Sequence, residues 1–320
     1  MGKPILVGYD PRTIDNAPLS FGIAAARFTG ARLIVACVTS EKVPSLPVSG
    51  EPLDYAVGQT DADLTHDASE AARAVQQHLE HEGIAYEVRL LQSSSAAKAL
   101  HREADDDDAG LLVIGSSRRS GVGRALAGGT AVRLLHGAPC PVTVVPRAWT
   151  RGGPPSVIGV AYVDTEEARE ALRGAYALAR RAGATLRVIT VVKVTASMHF
   201  ETEPATASQA GKSLEEVEGE HRLEAERRLR VAVGELGDDV SVEVEAVIGD
   251  PGEALVELSN GVDLLVCGSR GYGPARAVLL GSVSRHVVSE AHCPVIVLPR
   301  GVKASLEALV TEESGAGAPA

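Results

Sequence analysis

Residues 264–300 read LLVCGSRGYGPARAVLLGSVSRHVVSEAHCPVIVLPR, and residues 111–147 read LLVIGSSRRSGVGRALAGGTAVRLLHGAPCPVTVVPR. The two stretches align without a gap at an offset of 153, which places Gly268 on Gly115. Self-similarity over this distance indicates duplicated domains and not a short-repeat solenoid. The chain of 320 residues is therefore expected to contain two related domains.

Each half alternates short apolar runs with helical patterns. The predicted strands are 4–10, 32–38, 86–91, 111–115 and 141–146 in the first half, and 156–162, 186–192, 241–247, 264–268 and 294–299 in the second. Such nearly continuous apolar runs suit a parallel sheet that is buried on both faces. Alternation of strand and helix favours right-handed crossovers, so each half is predicted to be an α/β domain with a five-stranded parallel sheet.

The domain boundaries follow from composition. Gly and Pro in TRGGPPS (150–156) indicate a linker, so we predict a first domain over 1–149 and a second over 155–301. The remainder, 302–320, is predicted to be a flexible tail. Two polar segments at matching places, 40–60 and 195–213, are predicted to be mobile. The run Asp105–Asp108 predicts a solvated turn, because like charges favour exposure.

Charge and composition exclude several kinds of partner. The net charge of −11 argues against a broad positive surface for nucleic acid or an anionic membrane. Aromatic residues are only 3% of the chain, which leaves few platforms on which bases could stack. No apolar run is long enough to span a membrane, and MGKPILVGYD enters a strand without a signal-peptide pattern.

The four cysteines lack metal-type spacing and lie in or beside apolar runs. Cys37, Cys140, Cys267 and Cys293 are therefore predicted to be buried, reduced thiols. Reduced thiols favour a cytoplasmic protein. The nine histidines show no ligand pattern, so no metal site is predicted, and no Ser–His–Asp context predicts a catalytic residue.

The glycine-rich loop of the second half predicts an anion site. Gly268 and Gly271 let the backbone turn sharply and approach a ligand closely. Gly281 and Ser282 open a helix, whose free N–H groups and dipole attract phosphate oxygens. Neither a Walker A loop nor a dinucleotide fingerprint is present. From spacing alone, a tight turn that binds nothing remains open.

The pattern Gly268-x2-Gly271-x9-Gly281-Ser282 is similar to the nucleotide-binding signature of the universal stress protein family, and the ends ILVGYD and CPVIVLP resemble that family's first and last strands. The resemblance covers about residues 3–148 and 156–301. It implies a tandem protein of two Rossmann-like (adenine nucleotide alpha hydrolase-like) domains, which pair through their last strands. It also implies that ATP-binding members hold adenine with an Asp near the end of the first strand, whereas other members lack the signature.

Carried over residue by residue, the resemblance predicts a nucleotide-binding set in each half. The predicted residues are Gly268, Ser269, Gly271, Gly281, Ser282, Val283, Val191 and Asp164 in the second half, and Asp10, Val38, Gly115, Gly128 and Thr130 in the first.

Neither half keeps the whole pattern. In the second half Val163 stands opposite Asp10, and Asp164 follows one place later, which can turn its side chain to the other face. In the first half Arg118 occupies the place of the second glycine, and Gly129 replaces the Ser or Thr. Arginines there either pair with phosphate or lie exposed on a degenerate loop. We expect two unequal sites, with the better phosphate site in the second half.

The function predicted on this basis is a cytoplasmic stress-response protein that binds ATP or a related adenine nucleotide, with or without Mg²⁺, in a regulatory role and without efficient catalysis. The alternatives are a nucleotide-free interaction scaffold and a slow ATPase. The apolar closing strands are expected to pair the two halves within one chain, because exposed strand edges invite pairing. A protein partner is expected but not identified, and a homodimer remains open.

Overall fold

The computed structural model describes residues 2–10, 15–39, 61–116, 129–147, 149–193, 214–269, 281–299 and 306–310. The two segments predicted to be mobile, 40–60 and 195–213, lie outside this part of the chain. All ten predicted strands are present. The elements of the first half are β1 (Ile5–Tyr9), α1 (Ala17–Thr29), β2 (Leu33–Thr39), α2 (Asp61–Leu79), β3 (Tyr86–Gln92), α3 (Ala96–Asp106), β4 (Leu111–Gly115), α4 (Gly129–Leu135) and β5 (Val142–Val145).

The second half repeats this order. Its elements are β6 (Val157–Ala161), α5 (Glu166–Ala182), β7 (Thr185–Val192), α6 (Leu214–Val233), β8 (Val242–Ile248), α7 (Pro251–Leu258), β9 (Leu264–Gly268), α8 (Ser282–Glu290) and β10 (Val295–Leu298). Helix α5 shows why the local sequence sets the boundaries. The Thr165 hydroxyl caps its start by accepting from the N–H of Ala168, and Gly183 ends it in the left-handed conformation.

The strands form one ten-stranded sheet in the order β3-β2-β1-β4-β5-β10-β9-β6-β7-β8. Within each half all neighbouring strands are parallel. The prediction of two five-stranded parallel sheets is therefore confirmed. In each half the chain runs from the first strand outward to one side and then crosses to the other, so the strand order reverses beside the first strand.

The two halves meet through their closing strands, as expected. Strands β5 and β10 pair antiparallel, and Thr143 lies opposite Ile296. These two residues are themselves related by the offset of 153, so a pseudo-twofold axis passes between them. Because the central pair is antiparallel, the carboxyl ends of the two half-sheets point to opposite edges of the molecule. Any site at such an edge is therefore far from its counterpart.

Helices cover both faces of the sheet, and each core is continuous across the halves. One core packs residues of α1, α2, α5 and α6 against the sheet, and the other packs residues of α3, α4, α7 and α8. The buried side chains are mostly Ala, Val, Leu and Ile. Small aliphatic side chains let helices lie close to a parallel sheet that is buried on both faces.

The prediction of a flexible tail from residue 302 is wrong for Leu306–Leu309. These residues form a 3₁₀ turn, here called the C-terminal turn, in which Leu306 and Leu309 are fully buried. Leu306 packs on Gly174 of α5, where a Cβ would lie 2.6 Å from the Leu306 Cβ. The carbonyl of Ala308 accepts from the N–H of Lys3 at 2.9 Å. The turn therefore joins the second half to the beginning of the first, which residue composition alone did not indicate.

The acidic run Asp105–Asp108 is only partly the solvated turn that its charge predicted. Helix α3 continues through Asp106. Asp107 lies 2.5 Å from the Arg89 guanidinium, which also contacts Glu87 and Glu103. Asp108 adopts a φ of 50°. Arg89 of the preceding strand, β3, therefore neutralises part of the run. The charge pattern of the run itself does not show such a partner.

Candidate phosphate site at the start of helix α8

The candidate site lies at the carboxyl edge of the second half, where the strand order reverses. Strand β6 pairs with β7 on one side and with β9 on the other. Ala161 lies opposite Cys267, so the residues after Ala161 and after Gly268 emerge next to each other. Open parallel sheets bind ligands in the crevice at such a point.

The two ends of the glycine loop are fastened together. The N–H of Ser269 donates to the carbonyl of Leu298 at 2.9 Å, which extends the β9–β10 pairing. The N–H of Gly281 donates to the carbonyl of Ser269 at 3.0 Å. Helix α8 therefore begins directly beside the end of β9, although eleven intervening residues, 270–280, lie outside the described chain. Gly271 falls within that segment.

Within the described residues, no side chain caps the N-terminus of α8. Gly281 is the N-cap residue, with φ −58° and ψ 153°, and it supplies no side chain to the N–H groups of the first turn. Ser282 is exposed, and Val283 is partly buried against the core. Uncapped N–H groups together with the helix dipole favour an anion at this position. The predicted residues Gly268, Ser269, Gly281, Ser282 and Val283 are therefore brought together.

Ser284 also lies at the candidate phosphate site, although the sequence analysis did not include it there. Its hydroxyl lies 3.0 Å from the carbonyl oxygen of Gly268 and 3.3 Å from that of Ser269, so its single proton is shared between them. Its residue surface is only 5% exposed. The repeat itself carried a signal, because the residue at the matching place in the first half is Ala131.

The adenine side of the second half is less complete. Val191 lies on β7 and is buried in the core that α7 and α8 cover. Asp164 is exposed in the turn before α5, and its carboxylate pairs with the Arg169 guanidinium. Helix α5 covers the sheet face opposite to α8. The predicted acid is thus at the correct edge, but its described partner is an arginine of α5.

The pKa of Tyr162 agrees with the pairing of Asp164 and Arg169. Burial raises the pKa of the Tyr162 hydroxyl, and the nearby Asp164 carboxylate raises it further, whereas a hydrogen bond with Arg169 opposes the shift. The end of β6 is therefore occupied by a Tyr–Arg–Asp group that belongs to the α5 face.

In the first half Gly115 has a packing role. A Cβ at this position would lie 2.9 Å from Cγ of Pro18 in α1, so close helix packing alone requires a residue without a side chain. Ser116 continues the sheet by donating its N–H to the carbonyl of Val145. Asp10 directly follows β1 and is partly buried, as is Val38 on β2. These residues reach the carboxyl edge of the first half as predicted.

The helix that follows the first-half loop is shorter than its counterpart. Helix α4 spans Gly129–Leu135, seven residues, whereas α8 spans nine. Thr130 is partly buried and Gly129 is exposed. Gly128 and Arg118 lie outside the described residues. Ala131 is buried and offers no hydroxyl that could hold the helix start against β4.

The predicted burial of the cysteines is confirmed, and all four thiols are free. Burial raises the pKa of Cys37 to about 11 and that of Cys267 to about 12. Within the described ranges, no three His, Cys, Asp or Glu side chains gather to hold a metal ion. No helix of those ranges has the length and apolar character to cross a bilayer.

Known proteins share this fold along most of their length. A universal stress protein of Mycobacterium tuberculosis is 26% identical over 306 residues, which cover 92% of this chain and 99% of that protein. A functionally unknown protein from Pseudomonas aeruginosa has a crystal structure with a TM-score of 0.67 at 20% identity, covering 96% of both chains. A universal stress protein from Archaeoglobus fulgidus has a TM-score of 0.64 at 18% identity, covering 93% of this chain and 96% of that one.

The family model described as "Universal stress protein family" matches the chain twice, over residues 1–146 and 156–299. These two matches include all ten strands and the start of α8. The repeat, the strand order of each half and the glycine loop agree with this assignment, and the chain belongs to the universal stress protein family, with two of its domains in tandem.

Proposed function

We propose that the second half binds the phosphates of ATP or a related adenine nucleotide, and that this binding serves a regulatory role in the stress response. The observation that carries the proposal is the start of α8, where Gly281 supplies no capping side chain and is fastened to the end of β9. Backbone N–H groups at this place would hold phosphate oxygens, with the Ser282 hydroxyl as a further donor. Ligand binding to the folded state would stabilise it and could bias a partner interaction.

We propose that the first half is the weaker site. Close packing against Pro18 is enough to explain the glycine at the end of β4, Gly115, and α4 has only seven residues. Asp10 supports some adenine contact there, but the phosphate side has lost the Ser at the helix start. The first half would then contribute little to nucleotide binding and would serve mainly as the domain that pairs with the second half through β5 and β10.

A nucleotide-free interaction scaffold is the second candidate function. The pairing of Asp164 with Arg169 favours it, because an acid held by an arginine is less available to recognise a base. A reducing compartment such as the cytoplasm suits either function, since buried free thiols persist there.

Equilibrium titration of the full chain with ATP tests the proposal. Saturable binding is expected, and we expect Ser282→Ala to weaken it about three- to tenfold, because one donor to phosphate is lost. In the first half Gly129 stands at the place of Ser282, so the comparison there uses the adjacent hydroxyl, and Thr130→Ala should alter the affinity much less. Repeating the titration with Mg²⁺ and with a chelator shows whether the metal contributes.

Three outcomes are separated by this design. No saturable binding at millimolar nucleotide would leave the scaffold as the function. Phosphate release above buffer that disappears in Ser282→Ala would indicate a slow ATPase. Binding that Thr130→Ala weakens more than Ser282→Ala would place the main site in the first half.

A further inference from the structure

Ser284 is a buried hydroxyl at the base of the candidate phosphate site. We propose that Ser284 is the positioning residue of this site, which holds the N-terminus of α8 against the end of β9 and so sets where its N–H groups point. The inference rests on the proposed function, because it explains how the same site is kept in shape. Ser284 would act through the backbone and not by touching the nucleotide.

The geometry assigns this role to Ser284 and not to its neighbours. Ser284 is the third residue of α8, and its side chain turns back to the carbonyl oxygens of Gly268 and Ser269 at 3.0 and 3.3 Å. The N–H of Gly281 makes the other described bond to the Ser269 carbonyl. One backbone bond and one side-chain bond thus fix the helix start at two points along its first turn.

The first half contains the natural comparison. Ala131 is the third residue of α4, as Ser284 is of α8, and it is buried. The hydroxyl of Ser116, the counterpart of Ser269, is buried there and has no hydrogen-bond partner among the described residues. Buried hydroxyl groups are normally paired. Because Ala131 has no hydroxyl, the first half lacks the side-chain link between strand end and helix start that Ser284 makes in the second half.

A positioning role has a specific consequence for affinity. If Ser284 aims the N–H groups at phosphate, its loss should weaken ATP and inorganic tripolyphosphate by the same factor, since both present phosphates to the same groups. A residue that recognises the base would affect ATP alone. A purely structural residue would lower thermal stability and leave both affinities unchanged.

The test compares Ser284→Ala, Ser284→Thr and a matched control. Ser259 is the control, because it is also a buried serine of the second half and accepts from the N–H of His292 at 3.0 Å, but it follows α7 at the opposite edge of the sheet. We expect Ser284→Ala to weaken ATP and tripolyphosphate about tenfold. Ser284→Thr keeps the hydroxyl and should restore most of the affinity, and Ser259→Ala should leave both affinities unchanged.

Hydrogen exchange of the segment 281–290 without ligand separates this inference from the proposed function. Ser284→Ala is expected to speed exchange at the start of α8, whereas Ser259→Ala is not. Unchanged exchange in Ser284→Ala, or equal loss of affinity in the Ser259 control, overturns the positioning role. If the wild-type chain binds neither ATP nor tripolyphosphate, the proposed function fails, and the exchange result still decides whether Ser284 holds the helix start.

Discussion

The two glycine-rich stretches align at an offset of 153, but the described residues at their ends lie in two different settings. In the second half the loop ends are fastened by Gly281 and Ser284, and the N-cap residue of α8 is a glycine that offers no capping side chain. In the first half Ala131 replaces the serine, and the glycine at the end of β4 is explained by Pro18. Both halves therefore keep the same strand order, whereas the side-chain link from helix start to strand end is described in the second half alone.

The segments that leave the closing strands show a second contrast. After β5 the chain places Trp149 against Phe21 of α1, with ring centroids 5.5 Å apart. After β10 it places Leu306 against Gly174 of α5, and Gly174 is the counterpart of Phe21 at the offset of 153. The same point of the first helix is therefore covered in both halves. In the first half Trp149 packs on Phe21, and in the second half Leu306 packs on Gly174.

The largest expected effect comes from removing the C-terminal turn. Deleting residues 301–320 exposes the surfaces that Leu306 and Leu309 cover, which should lower the free energy of unfolding by about 3–5 kcal/mol. Urea denaturation of the full chain and of the truncated chain measures this difference in the free energy of unfolding. Deleting only 311–320 is the control and should have little effect. Equal stability of both truncated chains would show that the turn does not join the halves.

A smaller effect is expected at the pseudo-twofold axis. The hydroxyl of Thr143 is fully buried and has no hydrogen-bond partner in the described part of the chain, and the counterpart of Thr143 is Ile296. Thr143→Val should therefore stabilise the fold by about 1 kcal/mol, because an unpaired polar group is removed. Ile296→Thr makes the reverse change and should destabilise it by about 2–3 kcal/mol. Urea denaturation of each variant measures the two changes in the free energy of unfolding. Destabilisation by Thr143→Val would contradict the expectation.

The smallest effect concerns the caps of matching helices, α3 and α7. Ser95 caps α3 with a neutral hydroxyl, whereas Asp250 caps α7 with a carboxylate. Hydrogen bonds from the N–H groups of Glu253 and Gly252 lower the pKa of Asp250 below its ordinary value of 3.8. The stabilisation is therefore present above that value and is lost as the pH falls through the lower pKa of the folded state.

Stability curves against pH check this difference between the halves. Asp250→Ala should cost about 1 kcal/mol at neutral pH and less in acid, and Ser95→Ala should cost a similar amount that does not change with pH. Asp250→Asn keeps an acceptor for the cap and should flatten the pH dependence. A pH-independent loss in Asp250→Ala would contradict an ionised cap.

Much of the fold was predictable because its determinants are local. Apolar runs with loop signals located all ten strands, and Thr165 and Gly183 bounded α5 as their capping chemistry requires. The glycine pattern located the start of α8 within the correct edge of the sheet. Asp164 was predicted to lie on the adenine side of the site. Its pairing with Arg169 depends on which face of the sheet α5 covers, and the sequence alignment of the two halves does not show that face.

The sequence by itself determined the duplication, the order of strands and helices, the burial of the thiols and the position of the glycine loop before α8, because each follows from residue spacing, periodicity or a direct comparison of the two halves. Only the tertiary structure decided the pairing of Thr143 with Ile296, the link from Ser284 to the end of β9 and the docking of Leu306 on Gly174. These contacts join segments that are distant along the chain, and their partners are set by packing, which no local pattern encodes.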